Sequence, residues 1–225
     1  MPLKVISCFS YRSSVDSPWT DAQHSVNQFI DALKNRPVMG YGHVLINGTL
    51  PKRLIEAANA GDAKLWFGEM GARVLEDERG LHGQVVLVPV PNSECTGSVT
   101  RSRTAALAVA LKDRSEQVHA VDDFVRWDRV MPSASQDGGP RHPAVLYPHL
   151  RVRGRPTIQT RYRHVLIDDV LTSGGHLRAV AAFLRSRGAK VVLAICGART
   201  DSVPQADPFL RRVDELEDFE LTAEP

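Results

Sequence analysis

The stretch of the chain between residues 164 and 195 constrains the fold more than any other part of the sequence. Three apolar residues, Val165 to Ile167, predict a buried strand, and Val191 to Ile195 predict a second one. Between them a helix is predicted, because apolar residues recur on one helical face, at Leu177, Val180, Ala181 and Leu184. Gly188 is a suitable C-terminal cap for this helix. A strand, a helix and a strand within about thirty residues form a crossover between parallel strands, so the sequence predicts an α/β fold with a parallel sheet.

The remaining segments are predicted from the same patterns. Helices are predicted at 20–35, 51–60, 62–76 and 100–112, and strands at 43–46, 85–88 and 118–125. The run from Val85 to Val88 is uninterrupted apolar sequence, which is typical of a parallel strand covered on both faces. We therefore predict an N-terminal region at 1–83, a core at 84–200 and an acidic C-terminal tail at 201–225.

Composition excludes several classes of protein. With 43% apolar and 24% charged residues, the chain is neither disordered nor collagen-like. The net charge of +2 hides an asymmetry, because residues 201–225 carry eight acids and two bases while residues 1–200 carry 26 bases and 18 acids. The three cysteines form no CxxC pair, which argues against a disulfide scaffold or a structural zinc site. Without a signal peptide or an apolar run of roughly 20 residues, a cytoplasmic protein is expected.

The residues that follow the strand at 165–167 form the clearest candidate site. Asp168 and Asp169 stand where a parallel strand leaves the sheet, which is where open α/β sheets bind ligands, and two adjacent carboxylates suit vicinal hydroxyls. The turn after them contains Thr172, Ser173, Gly174, Gly175 and His176. Glycines let the backbone approach an anion, and the first N–H groups of the helix point towards it. Together these features predict a site for a ribose 5-phosphate, whereas the chain has neither a dinucleotide-binding nor a Walker glycine motif.

A long arginine-rich segment precedes this site. Residues 131–163 show little periodicity, contain no acid after Asp137 and carry six arginines, at 141, 151, 153, 155, 161 and 163. A loop of this length inside a domain is usually a lid, a binding loop or disordered. Three interpretations stay open: a solvated loop, a lid in which Arg151, Arg153 and Arg155 close over an anion, and a contact with nucleic acid.

Residues Val165 to His176 resemble the PRPP-binding signature of the type I phosphoribosyltransferases, with an apolar strand, two acids, two apolar residues and a Thr/Ser-Gly phosphate loop. The resemblance implies a parallel α/β core with a smaller N-terminal hood, and transfer of the phosphoribosyl group of Mg²⁺-PRPP to an acceptor with release of pyrophosphate. It implies that Asp168 and Asp169 are catalytic and hold the ribose hydroxyls, while Thr172 to His176 hold the 5-phosphate. Mg²⁺ would arrive with PRPP rather than on dedicated protein ligands.

The order of segments upstream is similar to that of the ComF-like branch of this superfamily. The similarity covers Leu54 to Glu56, Ala60 to Asp62, and Val88 to Pro91. In that branch the next loop, here Asn92 to Val99, binds pyrophosphate. The resemblance therefore implies that Pro91, Asn92 and Ser93 contact the pyrophosphate group.

The sequence also departs from the pattern of this family at several positions. It lacks the four-cysteine zinc module at the N-terminus of many ComF-like chains, and its pyrophosphate loop contains no arginine. Arg101 and Arg103, at the start of the next helix, are candidates to supply that charge. His176 stands where threonine is common, and Thr172 stands where purine-salvage members often have an acid, which weakens a hypoxanthine or guanine assignment.

Several functional questions stay open at the level of sequence. The acceptor is not indicated, since residues 1–83 carry no motif for one. A non-catalytic protein of the same fold that senses PRPP or binds nucleic acid is the alternative, and a homodimer is compatible with either. The acidic tail is either a solvated end or a docking segment for a partner.

Overall fold

The structure is a computed structural model that describes residues 1–12, 18–81, 83–98, 102–132, 139–154, 157–203 and 205–219. Within these ranges the strands are β1 (Leu3–Arg12), β2 (Tyr41–Ile46), β3 (Thr49–Glu56), β4 (Val85–Pro89), β5 (Val118–Val121), β6 (Val125–Trp127), β7 (Leu150–Val152), β8 (Arg163–Leu171), β9 (Lys190–Asp201) and β10 (Arg212–Leu216). The helices are α1 (Asp21–Leu33), α2 (Asp62–Asp77), α3 (Arg103–Lys112), α4 (Pro143–Leu146) and α5 (Gly175–Arg185), with 3₁₀ turns at Ala57–Asn59 and Tyr147–His149.

A six-stranded sheet with the order β10-β1-β9-β8-β4-β5 organises the chain. Its neighbouring strands are parallel except for β10, which is antiparallel to β1 at the edge. Two separate hairpins, β2–β3 and β6–β7, lie outside this sheet. The predicted α/β class, a mostly parallel sheet flanked by helices, is confirmed.

Both faces of the sheet are covered, and each face has its own apolar core. On one face Val85 and Leu87 of β4 pack with helices α1, α2 and α3. On the other face Val86 and Val88 pack with α5, α4 and the β6–β7 hairpin, including Trp127. All five residues of β4 are buried, as expected for a parallel strand enclosed on both sides.

The ends of the helices follow from local hydrogen bonding. The hydroxyl of Thr20 accepts from the backbone N–H of Gln23, and the Gln23 side chain accepts from the N–H of Thr20, so a capping box begins α1. The hydroxyl of Ser102 accepts from the N–H of Ala105 and begins α3. These caps explain why the predicted helices at 20–35 and 100–112 form close to their predicted bounds.

The helix predicted at 51–60 is wrong, because these residues form most of β3 and a 3₁₀ turn. Asn47 and Gly48 both have positive φ, at 55° and 67°, and they make the tight turn that pairs β3 with β2. The Asn59 side chain then holds the backbone of Leu54 and Glu56, which ends the strand. The turn before this segment and the Asn59 contacts after it therefore favour a strand, although the composition of the segment is typical of a helix. The strand predicted at 118–125 is likewise divided between β5 and β6, which belong to different sheets.

The large sheet draws strands from all three segments that the sequence suggested. β1 comes from residues 1–83 and lies between β9 and β10, and β10 comes from the acidic tail. The tail is therefore not simply a solvated end. Its Asp214 pairs with Arg199, and Asp218 pairs with Arg185 and with the N-terminal amine.

The arginine-rich segment 131–163 is partly regular in the described residues, which corrects the expectation of a structureless loop. Leu146 of α4 and Leu150 of β7 are buried in the core on the α5 side of the sheet. The ring of Tyr147 lies edge-on to Phe183 of α5, at 6.1 Å between ring centroids. In the described part of the chain, no helix combines the length and apolar character needed to cross a membrane.

Candidate functional site

The carboxyl ends of β4 and β8 meet at the point where the chain connections diverge. From β4 the chain passes through α3 to β5 at one edge, and from β8 it passes through α5 to β9 in the opposite direction. The two helices lie on opposite faces of the sheet. A crevice opens at such a switch point, and open α/β sheets bind their ligands there.

The acid pair lies inside β8 rather than after its end, since the strand continues to Leu171. Asp168 is in register with Cys196 of β9, and the Asp169 side chain is only 8% exposed. The backbone N–H of Asp169 donates to Oδ1 of Asp168 at 2.8 Å. Burial, and after it the negative charge of Asp169, raise the pKa of Asp168 to about 8. The doubly ionised form of the acid pair is therefore unfavourable unless a ligand or a cation compensates its charge.

Two cations from distant parts of the chain lie beside the acid pair. The guanidinium of Arg103, at the start of α3, forms an ion pair with Asp169. Lys34 directly follows α1, and its ammonium lies 5.8 Å from the centre of the Tyr11 ring. Burial lowers the pKa of Lys34, whereas the charges of Asp169 and Asp168 raise it. The sequence made Arg103 a candidate as a loop substitute, but it gave no signal for Lys34.

The end of helix α1 packs against Gly197 of β9, next to the acid pair. A Cβ at Gly197 would lie 2.6 Å from the Leu33 side chain and 2.8 Å from the carbonyl oxygen of Asp169. The last turn of α1 therefore packs directly over the backbone of the acid pair. This contact explains how Lys34, one residue further on, comes close enough to influence both carboxylates.

The predicted phosphate loop leads directly into α5. Gly174 precedes the helix in a left-handed conformation, with φ of 75°. Thr172 and Ser173 are exposed, while Gly174 and Gly175 are buried. Among the described residues, the backbone N–H groups of Ser173, Gly174 and Gly175 donate to no protein group. A row of free amides at a helix start can bind an anion.

The buried sides of this loop are closely packed. A Cβ at Gly175 would lie 1.7 Å from the carbonyl oxygen of Arg141, and a Cβ at Gly174 would lie 2.6 Å from the Leu216 side chain. His176 is half-buried, and its ring lies edge-on to Trp127 at 5.6 Å. Burial lowers the pKa of His176, and the charge of Asp169 opposes that effect. His176 is thus part of the wall that joins the loop to the β6–β7 hairpin.

The predicted pyrophosphate loop is fixed to the same hairpin. The indole N–H of Trp127 donates to the carbonyl oxygens of Pro91 and Asn92 at 3.2 and 3.1 Å, and the N–H of Met131 donates to that of Ser93. The side-chain oxygen of Asn92 accepts from the backbone N–H of Arg103 at 3.1 Å. Trp127 therefore contacts both candidate loops, a role that the sequence analysis missed because the residue reads as core.

The arginines proposed as a lid have defined positions where they are described. Arg151 lies on β7 and donates to Asp128 and to the carbonyls of Pro148 and Leu150. The backbone N–H of Arg153 donates to the carbonyl of Phe124 at 2.8 Å. Arg155 and Arg101 lie outside the described residues. Arg163 contacts Gly80 at the amino end of β8, which is the end opposite to the acid pair.

The donors at this site suit a magnesium ion that is carried by a phosphate ligand. Among the described residues, no group of three or more His, Cys, Asp and Glu side chains is placed to hold a metal. Asp168 and Asp169 alone supply one pair of carboxylates, and Arg103 already contacts one of them. Mg²⁺ commonly uses one or two carboxylates together with substrate phosphates, so this donor set is compatible with Mg²⁺ bound to a polyphosphate ligand.

No protein-family model and no curated protein matches the chain. One of the solved structures that match is a hypoxanthine phosphoribosyltransferase from Staphylococcus aureus, with 14% identity and a TM-score of 0.37. The match covers 60% of this chain and 72% of that chain.

Proposed function

We propose that the protein binds Mg²⁺-PRPP at the crevice between β4 and β8 and transfers its phosphoribosyl group to a small-molecule acceptor. One observation carries the proposal: the acid pair of β8, the free amides before α5 and Arg103 of α3 meet at a single switch point of the sheet. A ligand with a diol, a phosphate and a second anionic group matches these three elements.

The ribose and 5-phosphate of PRPP would be held by residues of β8 and the start of α5. Asp168 and Asp169 would accept hydrogen bonds from the ribose hydroxyls. The exposed hydroxyls of Thr172 and Ser173, and the free amides of Ser173 to Gly175, would donate to the 5-phosphate. The left-handed Gly174 directs this run of amides to one side of the helix start.

The pyrophosphate group of PRPP would lie near the loop after β4. Arg103 would provide positive charge for the pyrophosphate, and its Nε is buried without a hydrogen-bond partner in the described chain. Two of the first amides of α3, those of Arg103 and Ala105, are already engaged by Asn92 and Ser102, and the Arg103 guanidinium adds a charged donor beside them. Preorganised charge of this kind stabilises a leaving anion in the transition state.

The chemistry is a substitution at the anomeric carbon. The C1–O bond to pyrophosphate breaks, a bond forms from C1 to the acceptor, pyrophosphate leaves with the bonding pair, and the acceptor loses a proton to solvent. When bound with PRPP, Mg²⁺ supplies charge neutralisation of the pyrophosphate. The protein orients the ribose through the acid pair and confines the leaving group near Arg103.

Calorimetric titration with Mg²⁺-PRPP tests the binding step. Wild type is expected to bind one equivalent, and Asp169→Asn is expected to bind at least about tenfold more weakly, since it loses a charged acceptor. Asp113→Asn is the matched control, because Asp113 is exposed at the end of α3 and outside the site. Absence of heat for wild type, or equal binding by Asp169→Asn, would overturn the proposal.

A PRPP-binding protein without transferase activity is the second candidate. The described part of the loop after β4 contains Glu94 and no arginine of its own, which is unusual for a loop proposed to hold pyrophosphate. Isotope exchange between pyrophosphate and PRPP, measured across a panel of nucleobases, distinguishes the two candidates. Exchange with any base supports transfer, whereas binding without exchange supports a PRPP sensor.

A further inference from the structure

We propose that the edge of the large sheet opposite to the β8 crevice binds single-stranded nucleic acid. Strands β4, β8 and β9 are parallel, so their amino ends lie together at one edge, whereas the acid pair lies towards the other. Five cations at the amino edge form what we call the basic edge: Arg79, Arg161, Arg163, Arg187 and Lys190. Two of them belong to the arginine-rich segment 131–163 and have no part in the proposed function.

The centre of the basic edge lies at the starts of β8 and β9. Arg163 of β8 is in register with Lys190 of β9, so the two residues lie side by side on neighbouring strands. The guanidinium of Arg163 donates to the carbonyl oxygen of Gly80, directly after Arg79 in the chain. Like charges so placed repel each other, and an anion bound between them removes the repulsion.

A second contact adds the remaining two cations. A Cβ at Gly188 would lie 3.4 Å from the Thr160 side chain, so the neighbours of these residues in the chain, Arg187 and Arg161, come to the same place. Both arginines are exposed. The guanidinium carbon of Arg187 lies 3.6 Å from the centre of the Phe183 ring, which holds the side chain against the end of α5.

Acidic residues do not neutralise the basic edge. In the ranges that the structure describes, none of its five cations forms an ion pair. Glu78, which lies nearby, pairs with Lys4. Asp113 and Glu116, exposed after the end of α3, are two acids against five cations. The excess of positive charge attracts a polyanion.

The ends of helices account for only part of this charge. Arg79 follows α2 and Arg187 follows α5, and cations are favoured at the carboxyl ends of helices. Arg161, Arg163 and Lys190 stand before or at the starts of strands, so no helix end explains their position. A bound chain of phosphates gives all five cations a common partner.

Two aromatic rings beside the cations favour nucleic acid over other polyanions. The rings of His119 and Tyr162 are stacked, with 4.3 Å between their centroids and 27° between their planes. The guanidinium carbon of Arg161 lies 4.6 Å from the centre of the Tyr162 ring. His119 is exposed on the edge strand β5, so a base can add to this stack at the imidazole. Only an unpaired base has a free face for such a contact, which favours a single strand.

The basic edge and the PRPP crevice lie at opposite ends of β8. Arg163 begins the strand and Asp169 lies six positions further along it. At about 3.3 Å per residue, the two residues are about 20 Å apart. Both ligands can therefore bind at once, and failure of PRPP binding has no bearing on the basic edge.

Fluorescence anisotropy with labelled oligothymidylate and oligouridylate of about 20 nucleotides tests the charge of the basic edge. Wild type is expected to bind, with an affinity that falls as salt rises from about 50 to 200 mM. Arg161→Gln/Lys190→Gln is expected to bind at least about tenfold more weakly, and its logarithmic salt slope should be smaller by about 1.4, the value for two phosphate contacts on a single strand. Lys52→Gln/Lys64→Gln is the matched control, since it removes the same charge from β3 and the first turn of α2.

His119→Ala tests the stacking contact. It is expected to weaken binding of the single strand at least about fivefold, the effect of losing one stacked base, without changing the salt slope. A duplex of the same length should bind more weakly than the single strand and should not respond to His119→Ala. Saturating Mg²⁺-PRPP should leave the affinity for the single strand unchanged.

Each outcome decides for or against the basic edge as a single-strand site. Weaker binding by Arg161→Gln/Lys190→Gln and by His119→Ala, with unchanged binding by Lys52→Gln/Lys64→Gln, supports it, and the relative affinity for the two oligonucleotides then shows whether DNA or RNA is preferred. Absence of binding at about 50 mM salt, equal weakening by the control, no effect of His119→Ala, preference for the duplex, or displacement by Mg²⁺-PRPP overturns it. Circular dichroism establishes that each variant is folded.

Discussion

Arg103 and Asp169 form an ion pair across the crevice, although 66 positions separate them in the chain. The pair joins the first turn of α3 to β8, and so connects the loop after β4 with the acid pair. The carboxylate side chain is 8% exposed and the guanidinium 29% exposed. Because little water reaches Asp169, removal of Arg103 leaves its charge poorly compensated.

Replacement of Arg103 by glutamine is expected to lower the free energy of unfolding by about 2 kcal/mol, the usual effect of leaving a buried charged partner unpaired. Urea denaturation at pH 7 measures the change. Arg114→Gln is the control, because Arg114 is exposed and 3.8 Å from Glu69, and it should change stability by less than about 0.5 kcal/mol. Combining Arg103→Gln with Asp169→Asn should recover part of the loss. Equal effects of the two single arginine variants would contradict the buried ion pair.

Asp168 is expected to make stability fall as pH rises. Its folded pKa is raised to about 8 by burial and by Asp169. An unfolded aspartate has a pKa of about 3.9, so between about pH 4 and pH 8 the folded protein keeps a proton that the unfolded chain has lost. Its contribution is therefore fully present below the unfolded pKa and is lost as pH rises towards 8.

The Asp168→Asn variant should remove that dependence. At pH 8 it is expected to be more stable than wild type by about 1–3 kcal/mol, since it no longer buries a charge, and the difference should shrink towards pH 4. Urea denaturation between pH 4 and pH 9 measures both curves. Parallel curves for the two proteins would mean that Asp168 does not titrate in this range.

Lys34 is expected to tune the same titration. Its charge favours the ionised form of Asp168, so Lys34→Met should raise the pKa of Asp168 further and extend the pH-dependent loss of stability to higher pH. Lys112→Met, at the exposed end of α3, is the control and should leave the curve in place. An unshifted curve for Lys34→Met would show that the ammonium lies too far from the acids to act on them.

The strand and helix around the acid pair could be predicted because their sequence pattern is local. Val165 to Ile167 and the face from Leu177 to Leu184 encode β8 and α5 without help from distant residues. β1 was missed although it is internal to the sheet. Its apolar run is interrupted by Ser7 and Ser10, which are buried polar residues, so periodicity alone does not reveal it.

The site contacts made by Arg103, Lys34 and Trp127 could not be predicted, since they depend on tertiary packing. Lys34 reaches the acids only because α1 packs over Gly197. β10 was also missed, because three of its five residues are charged and the sequence around it is acidic, which is typical of a solvated tail. The sequence thus predicted the strand, loop and helix from β8 to α5 better than the groups that surround them.

His164 is expected to make the protein less stable in acid. It is fully buried in β8, in register with Val86 and Val191, and burial lowers the pKa of its ring. The unfolded histidine binds a proton at about pH 6.5, which the folded protein resists, so stability falls as pH decreases below that value.

Replacing His164 by leucine should reduce the loss of stability at low pH, so the gain in melting temperature should be larger at pH 5 than at pH 8. His43→Leu serves as the control, because His43 is exposed on β2 and its replacement should leave the pH dependence of stability unchanged. Melting curves between pH 5 and pH 8 provide the comparison. If His164→Leu and wild type lose stability in parallel on acidification, another group is responsible.

The predicted phosphate loop should tolerate no side chain at Gly175. A Cβ there would lie 1.7 Å from the carbonyl oxygen of Arg141, so either the loop or the segment before α4 must move. Gly175→Ala is expected to lower the free energy of unfolding by about 1–3 kcal/mol and to weaken Mg²⁺-PRPP binding, because the free amides are displaced. Gly61→Ala is the control, since a Cβ at Gly61 meets nothing within 4 Å. Urea denaturation and calorimetry should then separate the two variants, and a stable Gly175→Ala would show that Arg141 does not pack on this loop in solution.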